Sequence, residues 1–418
     1  MLKPLRSQGA ALFALALCVT LFATHPMLGQ TFTVIHAFDY YHGSGPVGTL
    51  AIDGAGNLYG ATEGGGDHGQ GTVFMLRPAH GAWTLNVLHS FAQGNGDGAQ
   101  PEAGPTIGPD AVYGTTVAGG LGYGTVYAVT PPAHVEASAE QPWNETPIHS
   151  FTGRADGSQP SIGSLLLDSQ GNLYGVTPNG GGGGQGVAGG VLYKLSPSGG
   201  TWNETVLYDF CSDIDCLDGY NPLSGPISDA AGNLYGSTAS WNFGCCGVVY
   251  EYGVQPEGGY TILLILANSD IGDDLYGSFI FDQAGNLYGT GSDGGPPGHH
   301  WGTVFELTPF GNEWNPSLLY AFTGSNNGRT GPEGGVVFDG SGNLWGTTYA
   351  DGAHGFGNVF ELTPSRGGWT YTDVYDFTGG NDGGNPTGSL IFDSAGNLYG
   401  TAMQYGPLGW GVAFEITP

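Results

Sequence analysis

The side chains best placed to do chemistry are histidines and aromatic residues set in glycine-rich stretches. They are His68, Tyr123, Trp241, the run His299-His300-Trp301, His354, Tyr405 and Trp410, with His42 and Phe356 in similar settings. A ring beside Asn, Asp and Gly offers a flat apolar surface with hydrogen-bonding groups at its rim, which suits a sugar ring and its hydroxyls. The competing role for each ring is to pack its own loop. A metal centre built on His299, His300 and His354 is disfavoured, because adjacent histidines point apart in extended chain and no carboxylate-supported ligand spacing is present. No metal and no cofactor is expected. Glycine runs such as 180–184 are not phosphate loops, since neither Lys-Ser/Thr nor a helix follows. A hydrolase would need paired carboxylates, and the 36 Asp and Glu allow too many pairings for the sequence to choose one.

Charge restricts the partners. The 418 residues carry 36 acidic against 7 Lys and Arg, a formal net charge of −29. Lys3 and Arg6 lie in a leader expected to be removed, which leaves Arg77, Arg154, Lys194, Arg329 and Arg366. Binding to phosphate backbones requires clustered cations, so nucleic acid and anionic membrane surfaces are excluded as partners. A lyase acting on uronates would want cations for the substrate carboxylate, and only Arg154 and Arg329 fall in candidate loops.

Residues 1–30 read as a secretory signal, with the basic pair Lys3/Arg6, an apolar run from Ala10 to Ala23 and a polar end near Gly29 or Gln30. The apolar run is short for a membrane span, and no segment at the C-terminus would anchor the chain. Cys18 lies in the discarded run. The expected product is a soluble secreted or periplasmic monomer. Cys211, Cys216, Cys245 and Cys246 remain, an even number that in an exported chain suggests two disulfides, with a four-thiolate zinc site as the alternative. Cross-loop pairing of Cys211/Cys216 with Cys245/Cys246 is expected. Cys211–Cys216 with a vicinal Cys245–Cys246 bridge is the strained alternative.

The elements that must position these loops repeat along the chain. Glycine and proline number 81 and 26, but 39% hydrophobic and 12% aromatic residues rule out disorder, and no Gly-X-Y phase supports collagen. Asn-Leu-Tyr-Gly starts at Asn57, Asn172, Asn233, Asn286 and Asn397, with variants at Ala111 and Asn343, giving seven copies. Each copy holds four short segments rich in aromatic and β-branched residues, bounded by Gly, Asn, Asp or Pro, which read as strands. In the third copy Trp202, Val206, Tyr208 and Phe210 alternate with Asn203, Thr205 and Asp209. Innermost segments such as Phe279-Ile280-Phe281 are apolar on both faces and must lie between two neighbours. The seventh copy ends at Pro418 after its third segment, and the missing fourth stands at the other terminus as Thr33–Phe38. An all-β, seven-bladed β-propeller of four-stranded blades follows, closed by the N-terminal strand completing the last blade. A β-helix gains nothing from that offset. The repeats lie near 47–91, 103–151, 163–210, 225–267, 277–322, 334–377 and 388–418 plus 32–38, within one domain over 31–418.

The run Asn286–Thr290 followed by Gly302–Pro309 resembles the glycine-rich tandem repeat of secreted bacterial choice-of-anchor GloVer-repeat proteins. That resemblance implies a propeller and assigns no catalytic residue.

Residues recurring in every copy serve the blade. Asp53, Asp168, Asp229, Asp282, Asp339 and Asp393 begin Asp-x-x-Gly-Asn turns, and His36, His89 and His149 share the strand slot of Tyr208, Tyr320 and Tyr375. The aromatic and histidine residues named first lie in loops of one face, between second and third strands or between blades. Binding of a neutral glycan or other extracellular polymer on that face is the leading expectation. A glycan-processing hydrolase or lyase on the same face, or an extracellular protein-interaction platform, are the alternatives.

Overall fold

The computed structural model describes residues 30–132, 143–160, 163–182, 188–222, 224–239, 247–253, 259–266, 270–297, 301–311, 313–324 and 331–418. Seven small antiparallel sheets form a β-propeller. Blade 1 shows the order, with an inner strand Ser44–Ile52, then Leu58–Gly64, Thr72–Ala79 and an outer strand Ala82–Ser90. Blade 7 runs Ile391–Phe392, Leu398–Ala402, Val412–Thr417, and its outer strand is Thr31–Ala37 from the other end of the chain. The closure expected from the permuted repeats is therefore observed. Inner strands of blades 2 to 7 are only two residues long, shorter than their apolar segments suggested.

The recurring motif is explained by blade 7. Asp393 Oδ1 accepts the backbone N–H groups of Ala395 and Asn397, while Oδ2 accepts the Asn397 amide and the Tyr399 hydroxyl. Burial works against the charge, but these hydrogen bonds win and hold the carboxyl below its ordinary range. Asp53, Asp168 and Asp339 are depressed in the same way. Gly400, which ends the motif, has no left-handed φ. It is small because the ring of Phe414 lies across it: a methyl there would stand 2.6 Å from Phe414 Cζ. Gly60, Gly114, Gly175, Gly236, Gly289 and Gly346 lie under Phe74, Tyr127, Tyr193, Tyr250, Phe305 and Phe360 in the same manner.

The core lies between blades. Each of seven apolar clusters takes side chains from two neighbours; one joins Val73, Phe91 and Met75 of blade 1 to Tyr127 and Val129 of blade 2. Another joins Phe377 and Val359 of blade 6 to Leu398, Phe414 and Ile416 of blade 7. Every third-to-outer strand pairing also carries a register shift, as between Val73 and Phe74 or Leu192 and Tyr193. Leu88 and Leu207 are the extra residues there, so the simple alternation read along the third copy breaks at Leu207. Such bulges increase the local twist with which each outer strand meets the next blade.

The link between blades 3 and 4 departs from the expectation for the cysteines. Cys211 bonds to Cys216, not across to the second loop. A 3₁₀ turn at Ile214–Cys216, with Cys211 and Cys216 both at positive φ, folds the link back on itself and brings their Cα atoms to 4.1 Å. Asp218 pins this turn by accepting Ser212 N–H, Ser212 Oγ and the Tyr208 hydroxyl. Cys245 and Cys246 lie outside the described residues. Blade 4 is also irregular in carrying Tyr220–Pro222 as an additional strand on its second strand.

Candidate functional site

Backbone hydrogen bonds tie the two loop classes of the candidate face together. Gln159 N–H donates to Tyr123 O, and Asn385 N–H to Phe356 O, each joining a link to the preceding blade's loop. The position two residues before the third strand turns out to be a recurring slot, occupied by Gln70, Tyr123, Gly189, Trp301, Phe356 and Trp410 among the described residues. Its rings have a common target. Tyr123 lies against Gly153, Trp301 against Gly324 and Phe356 against Gly379, each glycine two residues into the following link at φ +72°, +56° and +68°. These three rings pack against their loops on one side, the role that competed with ligand binding, although Tyr123 stays 46% exposed.

Trp410 differs. The position that should receive its ring is Tyr40, which keeps the left-handed backbone at φ +66° although a bulky side chain is strained there. The Tyr40 and Trp410 rings are 5.0 Å apart, and both are about two-fifths exposed or more, at 40% and 45%. Tyr41 beside them is 78% exposed and meets Tyr40 edge-on. Asp39 and His42 rim the group, joined by a 2.9 Å contact from His42 Nδ1. Although burial raises it, Asp39 is held below its ordinary range by the His42 hydrogen bonds and charge. The junction of blades 7 and 1 thus presents an aromatic platform with polar groups at its edge.

Tyr405, on the same loop as Trp410, meets Phe356 edge-on at 5.0 Å. It also neighbours Tyr349, whose hydroxyl is raised by burial and by the charges of Glu333, Tyr405 and Glu63. That contact leads to the mouth of the central channel, a cavity of about 320 Å³ lined by Glu63, Glu102, Glu333, Tyr276, Thr387 and Met403 among others. Burial raises Glu63; burial and then the Glu63 charge raise Glu102. None of the three glutamates was singled out from the sequence. They occupy slots at the start of inner strands or the end of second strands, which in other blades hold Val47, Thr387 or Met403, so comparison of the copies could have found them.

His68 and His354 are exposed loop residues with no described ring contact. Trp241, His299 and His300 lie outside the described residues. His36, His89 and His149 are strand residues, as expected. His89, however, also approaches Asp97 and Glu145, an arrangement the sequence reading missed.

A profile of the Gloeobacter/Verrucomicrobia repeat matches residues 17–250 and 222–418. No curated protein matches. Solved structures are similar in fold. A protein of Thermus thermophilus described as an oxidoreductase (glucose dehydrogenase) is 13% identical, with a TM-score of 0.42 over 93% of this chain and 100% of that one. One of Bacteroides uniformis described as a 6-phosphogluconolactonase is 12% identical, with a TM-score of 0.47 over 78% and 83%. A puromycin-hydrolyzing peptidase of Mycobacterium tuberculosis is 13% identical, with a TM-score of 0.51 over 88% of this chain and 52% of that one. Similarity at this level concerns the fold alone.

Proposed function

For a chain that belongs to the Gloeobacter/Verrucomicrobia repeat family, we propose the role of an exported propeller that binds a neutral carbohydrate at the junction of blades 7 and 1. The observation that carries this reading is Tyr40, a strained tyrosine in a slot where ring-covered positions elsewhere are glycine, paired with a half-open Trp410. Backbone strain retained at a surface position favours a role beyond packing. Two rings at an angle with a third beside them suit stacking on successive sugar residues. The Asp39–His42 pair and the tyrosine hydroxyls supply hydrogen-bonding groups for sugar hydroxyls. The acidic channel mouth next to the platform disfavours anionic ligands and has room for a chain end.

Glycan-array screening of the mature protein, followed by titration of Trp410→Ala and Tyr40→Gly, tests the reading. Each variant should weaken binding by about tenfold, the scale of one lost aromatic contact. Tyr40→Gly should meanwhile leave the melting temperature unchanged or higher, because it relieves the left-handed strain. Silence across neutral glycans, or binding indifferent to both substitutions, would refute it.

A second reading draws on the adjacent Glu63 and Glu102, both raised and both at the cavity. A carboxyl raised by burial beside a second carboxyl is an arrangement that a glycoside hydrolase needs. Release of reducing ends from a bound glycan, lost in Glu102→Gln with binding retained, would favour it over simple binding.

A further inference from the structure

The same interblade slot can be followed round the ring. It comprises one residue of an outer strand, an acid in the link that follows, and one residue of the next outer strand. Three junctions stack aromatic rings there: Tyr208 on Tyr260, Tyr320 on Tyr371 and Tyr375 on Phe32, at 3.9, 4.4 and 3.8 Å. Two junctions instead carry a histidine and a glutamate at the two strand positions, His89 and Glu145 in one and His149 and Glu204 in the other. Among the described residues no stacked ring pair fills this slot at these two, and each holds a link aspartate besides.

The two differ in what the aspartate does. Between blades 2 and 3, Asp156 Oδ1 accepts the Thr152 hydroxyl and the Arg154 N–H, while Oδ2 accepts the Thr152 N–H. His149 Nε2 is left 3.8 Å from Asp156. Between blades 1 and 2 the position of Thr152 is Ala92, which has only its backbone N–H to give, and that goes to Asp97 Oδ2. Asp97 Oδ1 is thereby freed to face His89 Nε2 at 3.2 Å. Glu145 Oε1 lies buried beside them with no hydrogen-bond partner. Ligand atoms of His89, Asp97 and Glu145 all fall within 4.8 Å of one another, and among the described residues no other three His, Cys, Asp or Glu do so.

We propose that His89, Asp97 and Glu145 bind a divalent transition-metal ion, zinc first, which clips blade 1 to blade 2. One imidazole nitrogen and two carboxylate oxygens are a normal protein donor set for zinc, with bonds of about 2.0–2.2 Å and hence ligand atoms roughly 3.4 Å apart in a tetrahedral shell. The His89–Asp97 separation already has that size, and Glu145 needs to close by about an ångström. The edge of Phe91 against the His89 ring, 4.8 Å between centroids at 81°, holds the imidazole plane. All described ion pairs use histidine, so no described Lys or Arg neutralises the two carboxylates. A cation would do so. Solvent reaches the crevice, since the His89 and Asp97 side chains retain 20% and 15% exposure, which leaves a fourth position for water.

The test is calorimetric titration of the chelator-stripped mature protein with zinc, its free thiols alkylated, alongside His89→Gln, Glu145→Gln and Ala92→Thr. Wild type should take up one zinc that the first two variants lose. Ala92→Thr, which supplies the hydroxyl that Asp156 meets, should weaken binding by about tenfold or more while leaving every ligand in place. Melting temperature without metal checks that each variant folds, and it should rise with zinc only where zinc binds. Absence of zinc uptake by folded wild type, or uptake unchanged in folded Glu145→Gln and His89→Gln, would overturn the proposal.

Discussion

Substituting Gly400 by alanine isolates the reason the repeat motif ends in glycine. Its backbone would accept alanine, because its φ is not left-handed, and replacing glycine within a strand should by itself stabilise by about 0.5–1 kcal/mol. Packing opposes this. The new methyl would sit 2.6 Å from Phe414 Cζ and 2.7 Å from Leu390 Cδ2, almost an ångström inside ordinary contact, and overpacking of this kind costs about 1–3 kcal/mol. The net expectation is a loss of about 1–2 kcal/mol. In a Phe414→Leu background the ring tip is gone and only Leu390 Cδ2, the far end of a flexible side chain, must give way, so the same substitution should become about neutral. The coupling between the two sites is then about 1–2 kcal/mol, above the additive limit. Urea unfolding midpoints of the four proteins, with equal slopes confirmed, give the cycle. If Gly400→Ala costs the same with and without the Phe414 ring, the ring is not the reason the motif ends in glycine, and the Leu390 contact or the backbone must replace it.

Three further expectations follow from the junctions. Burial, then the charge of Asp156, raises Glu204 from 4.5 to about 7. The folded state therefore keeps a proton that the unfolded state gives up, and stability falls as pH rises from 4.5 through 7. Glu204→Gln should match wild type below pH 4.5 and exceed it at pH 8 by about 1 kcal/mol, the ~3 kcal/mol of a dry site being reduced by solvent at a half-exposed side chain; equal stability at both pH values would contradict this. Phe32 stacks on Tyr375 and meets Phe377 and Phe414, so Phe32→Ala should cost about 2–3 kcal/mol, somewhat less than for a fully buried ring, and a melting curve unchanged from wild type would argue against closure by that strand. Non-reducing peptide mapping should recover Cys211 linked to Cys216. Cys211→Ser should cost roughly 2 kcal/mol for so short a loop, and a bridge from Cys211 to Cys245 or Cys246 would reverse the assignment.

The ring and its closure were legible because physics at one blade is repeated seven times, so Asn-Leu-Tyr-Gly and its flanking strands vote together. The packing partners of the aromatic loop residues were not legible, because Tyr123, Trp301 and Phe356 share a slot that only the glycine of the next link makes visible. Trp410 was singled out but its partner Tyr40 was not, because a left-handed tyrosine is conspicuous only once the equivalent glycines are aligned in space. The Cys211–Cys216 pairing turned on a backbone reversal at residues 214–216 that no alternation pattern announces. Likewise the approach of His89 to Glu145 depends on a bulge at Leu88 and on the absence of a hydroxyl at Ala92.

Closure of blade 7 by the strand Thr31–Ala37 also fixes an order of events in time. During synthesis that strand emerges before the other strands of the ring and its partner Val412–Thr417 after them, so one sheet edge stays open until the last blade is made. Bringing such distant segments together costs an entropy that grows only with the logarithm of the intervening length, about 5 kcal/mol for several hundred residues, but no partial ring can recover it in advance. Until then an unpaired apolar edge is offered to any other chain with a free strand. Afterwards the strand pairing works as a latch: unravelling must first part Thr31–Ala37 from Val412–Thr417, and the hydrogen bond from Ser389 N–H to Thr49 Oγ1, 340 residues apart in sequence, ties blades 7 and 1 a second time. Long-range closure of this kind makes folding slow.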